Sequence, residues 1–153
     1  MDHEYGTDIL GPGLKGWDWF SLQLSDNTEA MVFLVKSNEG AIEPTSSATV
    51  IGQKDLKRHL RSDDFKVTVL ETWKSPNSKA IYPAGWRLQI FSESLVLIIK
   101  PNLANQEMLT TGSTGTIYWE GSVSAAGTKG GKTVTGQGYI ELTGYAQPFD
   151  APM

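Results

Sequence analysis

The sequence predicts an all-β fold, a lipocalin-like antiparallel up-and-down barrel of about eight strands. Short apolar segments of strand length recur along the chain and are separated by turn residues, which is typical of β-hairpins. Lys54 to Leu60 is the one segment typical of a helix, and it is too short to cover a sheet. The length of 153 residues suits one domain, so we expect a single domain over residues 1–153.

The first two strands form a hairpin over residues 17–36. From Trp17 to Leu24, large apolar side chains fall near alternate positions, as in a half-buried strand. Ser-Asp-Asn-Thr at 25–28 favours a tight turn, because short polar side chains bond back to their own backbone. The apolar stretch from Ala30 to Val35 completes the hairpin.

Six further strands follow from the same alternation of apolar runs and turn residues. They are Thr45–Gly52, Phe65–Trp73, Gly85–Phe91, Ser94–Lys100, Thr116–Ala126 and Thr133–Thr143. Gly127 to Lys132 joins the last two as a glycine-rich loop, in which positive φ costs little. A barrel of this size is filled by side chains or holds one small ligand.

Composition excludes several classes of function. The net charge of −4 gives no field for a phosphate backbone, so nucleic acid is not an expected partner. The chain has no Cys and only His3 and His59, far apart, so we expect no metal site and no cofactor. No apolar run approaches the ~20 residues of a membrane helix. The first residues lack a secretory signal, so a cytoplasmic chain is the default expectation.

Aromatic and acidic side chains are the candidate ligand-binding residues. Rings can line an apolar cavity while their N–H or O–H groups find polar partners. The candidates are Trp17, Trp19, Trp73, Tyr82, Trp86, Tyr118, Trp119, Glu120, Tyr139 and Glu141. The alternative is that the rings only pack the core and the ends of the barrel, and that Glu120 and Glu141, near each other or near Arg87, belong to a buried ion-pair network.

Six spaced motifs carry a resemblance to a known family. They are Met-Asp-His-Glu-Tyr-Gly-Thr at 1–7, Gly-Trp-Asp-Trp-Phe-Ser-Leu-Gln-Leu at 16–24, Tyr-Pro-Ala-Gly-Trp at 82–86, Asn-Gln-Glu at 105–107, Tyr-Trp-Glu-Gly at 118–121 and Gly-Tyr-Ile-Glu-Leu-Thr-Gly-Tyr at 138–145. From the first residue to about 145, the chain resembles the C-terminal half of the AttH-like and carotenoid 1,2-hydratase (hydroxyneurosporene synthase) family. The resemblance implies a lipocalin-like barrel, normally the second of two, with ligand held in or between them.

The resemblance also implies catalytic residues near the start of the chain. In the hydratase branch, an Asp at the position of Asp2 is regarded as the acid that protonates a terminal alkene. Ring faces would stabilise the cation and water would add, with no cofactor. His3 is the second catalytic candidate, and the alternative is that His3 and Glu4 hold the terminal segment on the barrel. The N-terminal half of the family is not part of this sequence, and an α-ammonium near Asp2 would favour its carboxylate form.

Three functions remain open from the sequence. The first is binding of an apolar small molecule of the polyene, terpenoid or polyketide class. The second is catalysis, as a cofactor-free hydratase or a Diels–Alder-type cyclase with Asp2 as general acid. The third is a non-catalytic half-domain that acts through self-association, as a homodimer or with a partner that replaces the N-terminal domain.

Overall fold

Ten β-strands form one antiparallel sheet in the computed structural model, which describes residues 10–52, 56–110, 112 and 115–147. The strands are β1 (Leu14–Leu24), β2 (Glu29–Ser37), β3 (Ser47–Ile51), β4 (Lys57–Arg61), β5 (Phe65–Lys74), β6 (Ile81–Ile90), β7 (Leu95–Pro101), β8 (Glu107–Leu109), β9 (Ile117–Lys129) and β10 (Lys132–Leu142). The predicted all-β class is confirmed.

The strand order is β4-β3-β2-β1-β10-β9-β7-β6-β5, with the short β8 paired to β9 beside this path. The sheet curls around one core as a half-barrel. Its edge strands, β4 and β5, are joined by the 3-10 turn Ser62–Asp64, and no ladder pairs them within the described residues. No helix among the described residues has the length and apolar character to span a membrane.

All eight predicted strands are present, and the structure adds β4 and β8. The helix predicted over Lys54 to Leu60 is wrong from Lys57 onward, because Lys57–Arg61 is an edge strand, and Lys54 and Asp55 lie outside the described residues. Only Leu60 of β4 is buried, so this strand carries no alternation that a sequence pattern could show.

The core lies inside the curl, and the long central strands, such as β1 and β9, send every second side chain into it. Phe20, Leu22 and Leu24 of β1 are buried there. The rings of Phe20 and Trp86 meet edge to face with centroids 5.9 Å apart, and the Trp86 and Trp119 rings are 6.3 Å apart. Around these three rings, the interior is therefore filled by side chains.

At the centre of the sheet, the first strand, β1, pairs with the last strand, β10. Strand β1 pairs with β10 from Asp18↔Leu142 to Leu24↔Gly136. Beyond this ladder, the Trp17 backbone N–H donates to Thr143 Oγ1 at 2.7 Å. Gly144 has φ +75°, and a Cβ there would lie 2.3 Å from the Lys15 carbonyl oxygen. Only glycine fits this close approach.

Candidate functional site

The first strand presents its two tryptophans to the outer face of the sheet, opposite the core. Trp17 and Trp19 are half-buried there, whereas Asp18 and Phe20 point into the core. The near-alternate spacing of large apolar side chains from Trp17 to Leu24 does not separate the tryptophans from Leu22 and Leu24, whereas the structure places them on opposite faces of the strand. Since side chains alternate with a period of two, Trp17 and Leu22 necessarily lie on opposite faces.

One row of side chains crosses four strands on this outer face. Phe33 of β2 pairs with Trp19, Trp19 with Glu141 of β10, and Glu141 with Glu120 of β9. The Trp17 ring lies 6.3 Å from the Phe33 ring. Partners of this kind have Cβ atoms roughly 5 Å apart. The predicted Trp19, Glu120 and Glu141 therefore come together.

Two tyrosines flank the carboxylates on the same face. Tyr139 lies opposite Ser21 and is exposed, whereas Tyr118 is half-buried on β9. Partial burial raises the pKa of both tyrosines, and the carboxylates of Glu120 and Glu141 raise it further. Six of the ten candidates thus share one surface, which we call the aromatic–acidic face. It consists of Trp17, Trp19, Phe33, Tyr118, Glu120, Tyr139 and Glu141.

Glu120 and Glu141 lie directly opposite each other on β9 and β10, and the Tyr118 side chain hydrogen-bonds to Glu120. Like charges directly opposite each other on neighbouring strands destabilise a sheet. Arg87, the suggested ion-pair partner, is exposed on β6, which β7 separates from β9. It reaches neither carboxylate, so that part of the ion-pair alternative is wrong.

Three other candidates lie in the core and not on the outer face. Trp86, Trp119 and Tyr82 are almost completely buried. Trp119 Nε1 donates to the Ala104 carbonyl oxygen at 3.1 Å. Within the described part of the chain, Trp86 Nε1 is buried and has no hydrogen-bond acceptor. The structure brings the rings of Trp86 and Trp119 together, and the sheet separates all three residues from the aromatic–acidic face.

The remaining candidate, Trp73, belongs to a polar cluster at one end of the barrel. Its ring stacks on that of Tyr82 at 6.1 Å. The Tyr82 hydroxyl donates to Glu107 Oε1 at 3.1 Å, and Ser75 Oγ donates to Glu107 Oε2 at 2.5 Å. Ser78 Oγ also donates to Glu107. Partial burial opposes ionisation, but these hydrogen bonds outweigh it and hold the pKa of Glu107 below its usual value.

A buried ion pair that was not predicted from the sequence lies near this cluster. Lys36 Nζ donates to Asp18 Oδ1 at 2.6 Å and to the Thr143 carbonyl oxygen at 3.0 Å. The Tyr145 hydroxyl donates to Asp18 Oδ2 at 2.9 Å, and Lys36 Nζ lies 3.6 Å from the Tyr145 ring centroid. Burial raises the pKa of Asp18 and lowers that of Lys36, and their mutual attraction opposes both shifts. The available signal was that Asp18 shares its strand face with Phe20.

The described residues form cavities that include one of about 650 Å³ and one of about 90 Å³. None of the ten candidate ligand-binding residues lines either of them. In the described ranges, no group of three His, Asp or Glu side chains converges as a metal site would require. The catalytic candidates Asp2 and His3 lie outside the described residues.

Comparisons with known proteins support the resemblance. The AttH-like family model matches residues 1–145. The crystal structure of an AttH from Nitrosomonas europaea is 30% identical, with a TM-score of 0.79, and the match covers 91% of this chain and 42% of that chain. Kievitone hydratase from Nectria haematococca is 22% identical, with a TM-score of 0.70 over 88% of this chain and 40% of that chain, and shows the fold alone.

The chain thus spans less than half the length of these two solved structures. No curated protein matches it. Because the family model covers nearly the whole sequence and the lipocalin-like fold agrees with it, the chain belongs to the AttH-like family.

Proposed function

We propose that this protein binds an apolar small molecule, of the polyene, terpenoid or polyketide class, over its aromatic–acidic face. The observation that carries the proposal is the cross-strand row of Trp19, Glu141 and Glu120, with Trp17 and Tyr139 beside it. Rings offer a large apolar contact area, and carboxylates accept hydrogen bonds that would orient a hydroxylated ligand.

The outer face suits a ligand better than the interior of the half-barrel. Phe20, Trp86 and Trp119 pack against one another inside it. On the outer face, Trp17 and Trp19 keep part of their surface accessible. Covering apolar surface stabilises a complex by roughly 25 cal/mol per Å² removed from water.

The test is a titration of tryptophan fluorescence with a panel of retinoid-like, terpenoid and fatty ligands. Trp19→Ala removes the centre of the row, and we expect it to weaken binding roughly tenfold or more. Trp73→Ala is the matched control, because Trp73 lies in the cluster at the barrel end. Circular dichroism confirms that both variants fold. The absence of any quenching or spectral shift across the panel, or equal losses in both variants, overturns the proposal.

A second candidate function is catalysis of alkene hydration or cyclisation on the same face. The opposed carboxylates of Glu120 and Glu141 among ring faces favour it. Asp2 would transfer a proton to a trisubstituted alkene, the ring faces would stabilise the tertiary cation, and water would add and release a proton. The carboxylates would orient that water or the substrate. The name of one structural neighbour, kievitone hydratase, supports hydration as the reaction to assay.

The catalytic candidate is tested by turnover of a terpenoid alkene. We expect Asp2→Asn to abolish hydration while ligand binding persists, because only the acid is removed. Glu120→Gln is the companion variant, with an expected loss of roughly a hundredfold for a group that orients the reacting water. Equal turnover of parent and Asp2→Asn excludes Asp2 as the acid.

A further inference from the structure

The larger cavity lies on the same outer face as the candidate site. It has a volume of about 650 Å³ and is formed where the β1–β2 turn approaches β10. Gln23, Ser25, Ser124, Thr135 and Gln137 line it. In contrast to the aromatic–acidic face, these side chains are amides and hydroxyls.

The strand register makes the two regions continuous. Gln23 pairs with Gln137, and Gln137 pairs with Ser124, which forms a second row across β1, β10 and β9. Trp19 and Gln23 lie on the same strand and the same face, four residues apart. At about 3.4 Å per residue, the two rows are roughly 14 Å apart. One elongated molecule of modest size can therefore lie over both rows.

The amides of this second row are available to a ligand. A glutamine side chain carries two N–H donors and a carbonyl acceptor. Within the described part of the chain, neither Gln23 nor Gln137 uses its side chain in a hydrogen bond. Ser124 Oγ donates to Asn102 Oδ1 at 2.5 Å, which fixes the far end of the row.

The charges around the cavity favour a neutral head group. Glu29 is the charged residue in the lining. The nearby Lys129 Nζ lies 3.2 Å from Asp26 Oδ2, so its charge is already compensated. An anionic group would meet the carboxylate of Glu29, whereas hydroxyl groups match amides that both donate and accept.

We infer that the row of Gln23, Gln137 and Ser124 is a polar subsite for the uncharged, hydroxyl-rich head group, such as a sugar, of a ligand whose apolar part lies on the aromatic–acidic face. The inference rests on the proposed function and specifies its ligand as an amphiphile. The subsite adds affinity through hydrogen bonds, and the rings add affinity through apolar contact.

Calorimetric titration of the full chain with geraniol, geranyl β-D-glucoside and geranyl phosphate tests the inference. These probes share one terpenoid chain and differ only in the head group. We expect the glucoside to bind roughly tenfold more tightly than geraniol, and the phosphate to bind more weakly than the glucoside. In the double variant Gln23→Ala/Gln137→Ala, we expect the roughly tenfold advantage of the glucoside over geraniol to be lost.

Two control variants separate this inference from the proposed function. Gln89→Ala, on β6, is expected to change neither affinity, because β7 and β9 separate β6 from β10. Trp19→Ala is expected to weaken the binding of both geraniol and its glucoside.

The outcomes distinguish the two proposals. If geraniol binds through Trp19 but the glucoside has no advantage, or the double variant keeps that advantage, the subsite is refuted and the proposed function is not. If the phosphate binds most tightly, the neutral head group is refuted. If no probe binds, both proposals fail.

Discussion

Asp18 and Lys36 are the charged side chains that the described residues bury in the core. Each ion loses its hydration on folding, and their 2.6 Å contact compensates for that loss only while both are present. The Tyr145 hydroxyl and the Thr143 carbonyl complete the hydrogen bonding of the pair. The cluster therefore fixes the end of β10 against β1 and β2 at the residue scale.

Lys36→Met leaves the Asp18 carboxyl buried without its cation. We expect the free energy of unfolding at pH 7 to fall by roughly 3 to 5 kcal/mol, measured by urea denaturation. The double variant Asp18→Leu/Lys36→Met removes both charges and is expected to recover much of that loss. A loss below about 1 kcal/mol for the single variant would contradict the assigned role.

Glu107 links stability to pH through its hydrogen bonds with Ser75, Ser78 and Tyr82. Its folded-state pKa lies below the ordinary value of 4.5, so the carboxylate form is preferred in the folded protein. The stabilisation is therefore present above pH ~4.5 and disappears as the pH falls through the folded-state pKa.

Glu107→Gln is expected to lower the free energy of unfolding by roughly 1 to 3 kcal/mol at pH 7. The difference from the parent should shrink as the pH falls below the ordinary pKa of the carboxyl. Denaturation curves at pH 7, 5 and 3 measure this trend. Glu71→Gln, at an exposed position 4.0 Å from Lys100, is the matched control, with little expected change at any pH. A difference that stays constant across this range would refute the linkage.

The sequence shows that the chain is rich in rings, but it does not show which face of the sheet each ring occupies. In β1, both strand faces carry large apolar side chains, because Trp17 and Trp19 alternate with Phe20 and Leu22. Alternation alone then cannot distinguish the core face from the outer one. Glu107 was also missed, because its partners come from a turn about thirty residues earlier in the chain, at Ser75 and Ser78.

At the scale of the element, close packing between neighbouring strands depends on Gly127. This residue of β9 pairs with Leu97 of β7, and a Cβ there would lie 1.9 Å from the Val96 carbonyl oxygen. Because the contact is with backbone, a side chain cannot be accommodated by a rotamer change. One of the two strands would have to move.

Gly127→Ala should therefore destabilise the protein by about 1 to 3 kcal/mol or more, which thermal unfolding would show as a lower Tm. Gly11→Ala is the control, because a Cβ at Gly11 has no atom within 4 Å. We expect that variant to match the parent closely. Equal stability of Gly127→Ala and Gly11→Ala would contradict this prediction, because it would mean that β7 and β9 can move apart without loss of folding free energy.

Strand prediction succeeded where one face is buried and failed at the margins of the sheet. The long strands β9 and β10 carry clear alternation of buried and exposed residues. Strand β4 has one buried residue, and β8 has three residues in all. These two segments are strands because they pair with a neighbouring strand, and neither has a clear alternation of apolar and polar residues. The sequence alone therefore could not predict them.

For the whole molecule, the two sheet edges are protected from pairing with other chains in different ways. Edge strand β4 presents Lys57, Arg58, His59 and Arg61, whereas β5 has register irregularities between Val69 and Thr72. Charged side chains and bulges are the usual means of preventing edge-to-edge association. The protection matters because Val69 and Leu70 are exposed on β5.

Replacement of the edge charges by Lys57→Val/Arg61→Val should promote self-association, because it leaves an apolar edge with unpaired backbone groups. Sedimentation velocity at rising protein concentration measures the effect. Lys100→Val/Lys132→Val removes the same charge away from both edges and is the control. Identical sedimentation of the two double variants would show that net charge, and not edge chemistry, determines solubility.

The central position of β10 has a consequence for the order in which the chain is made. While the protein emerges from the ribosome, β1 to β4 and β5 to β9 can each form as a local meander, but neither can join the other until the last strand is synthesised. Two unpaired edges, those of β1 and β9, stay open until then. Since pairings across so long a stretch of sequence form slowly, the nascent protein passes through an interval in which it is most in need of a chaperone.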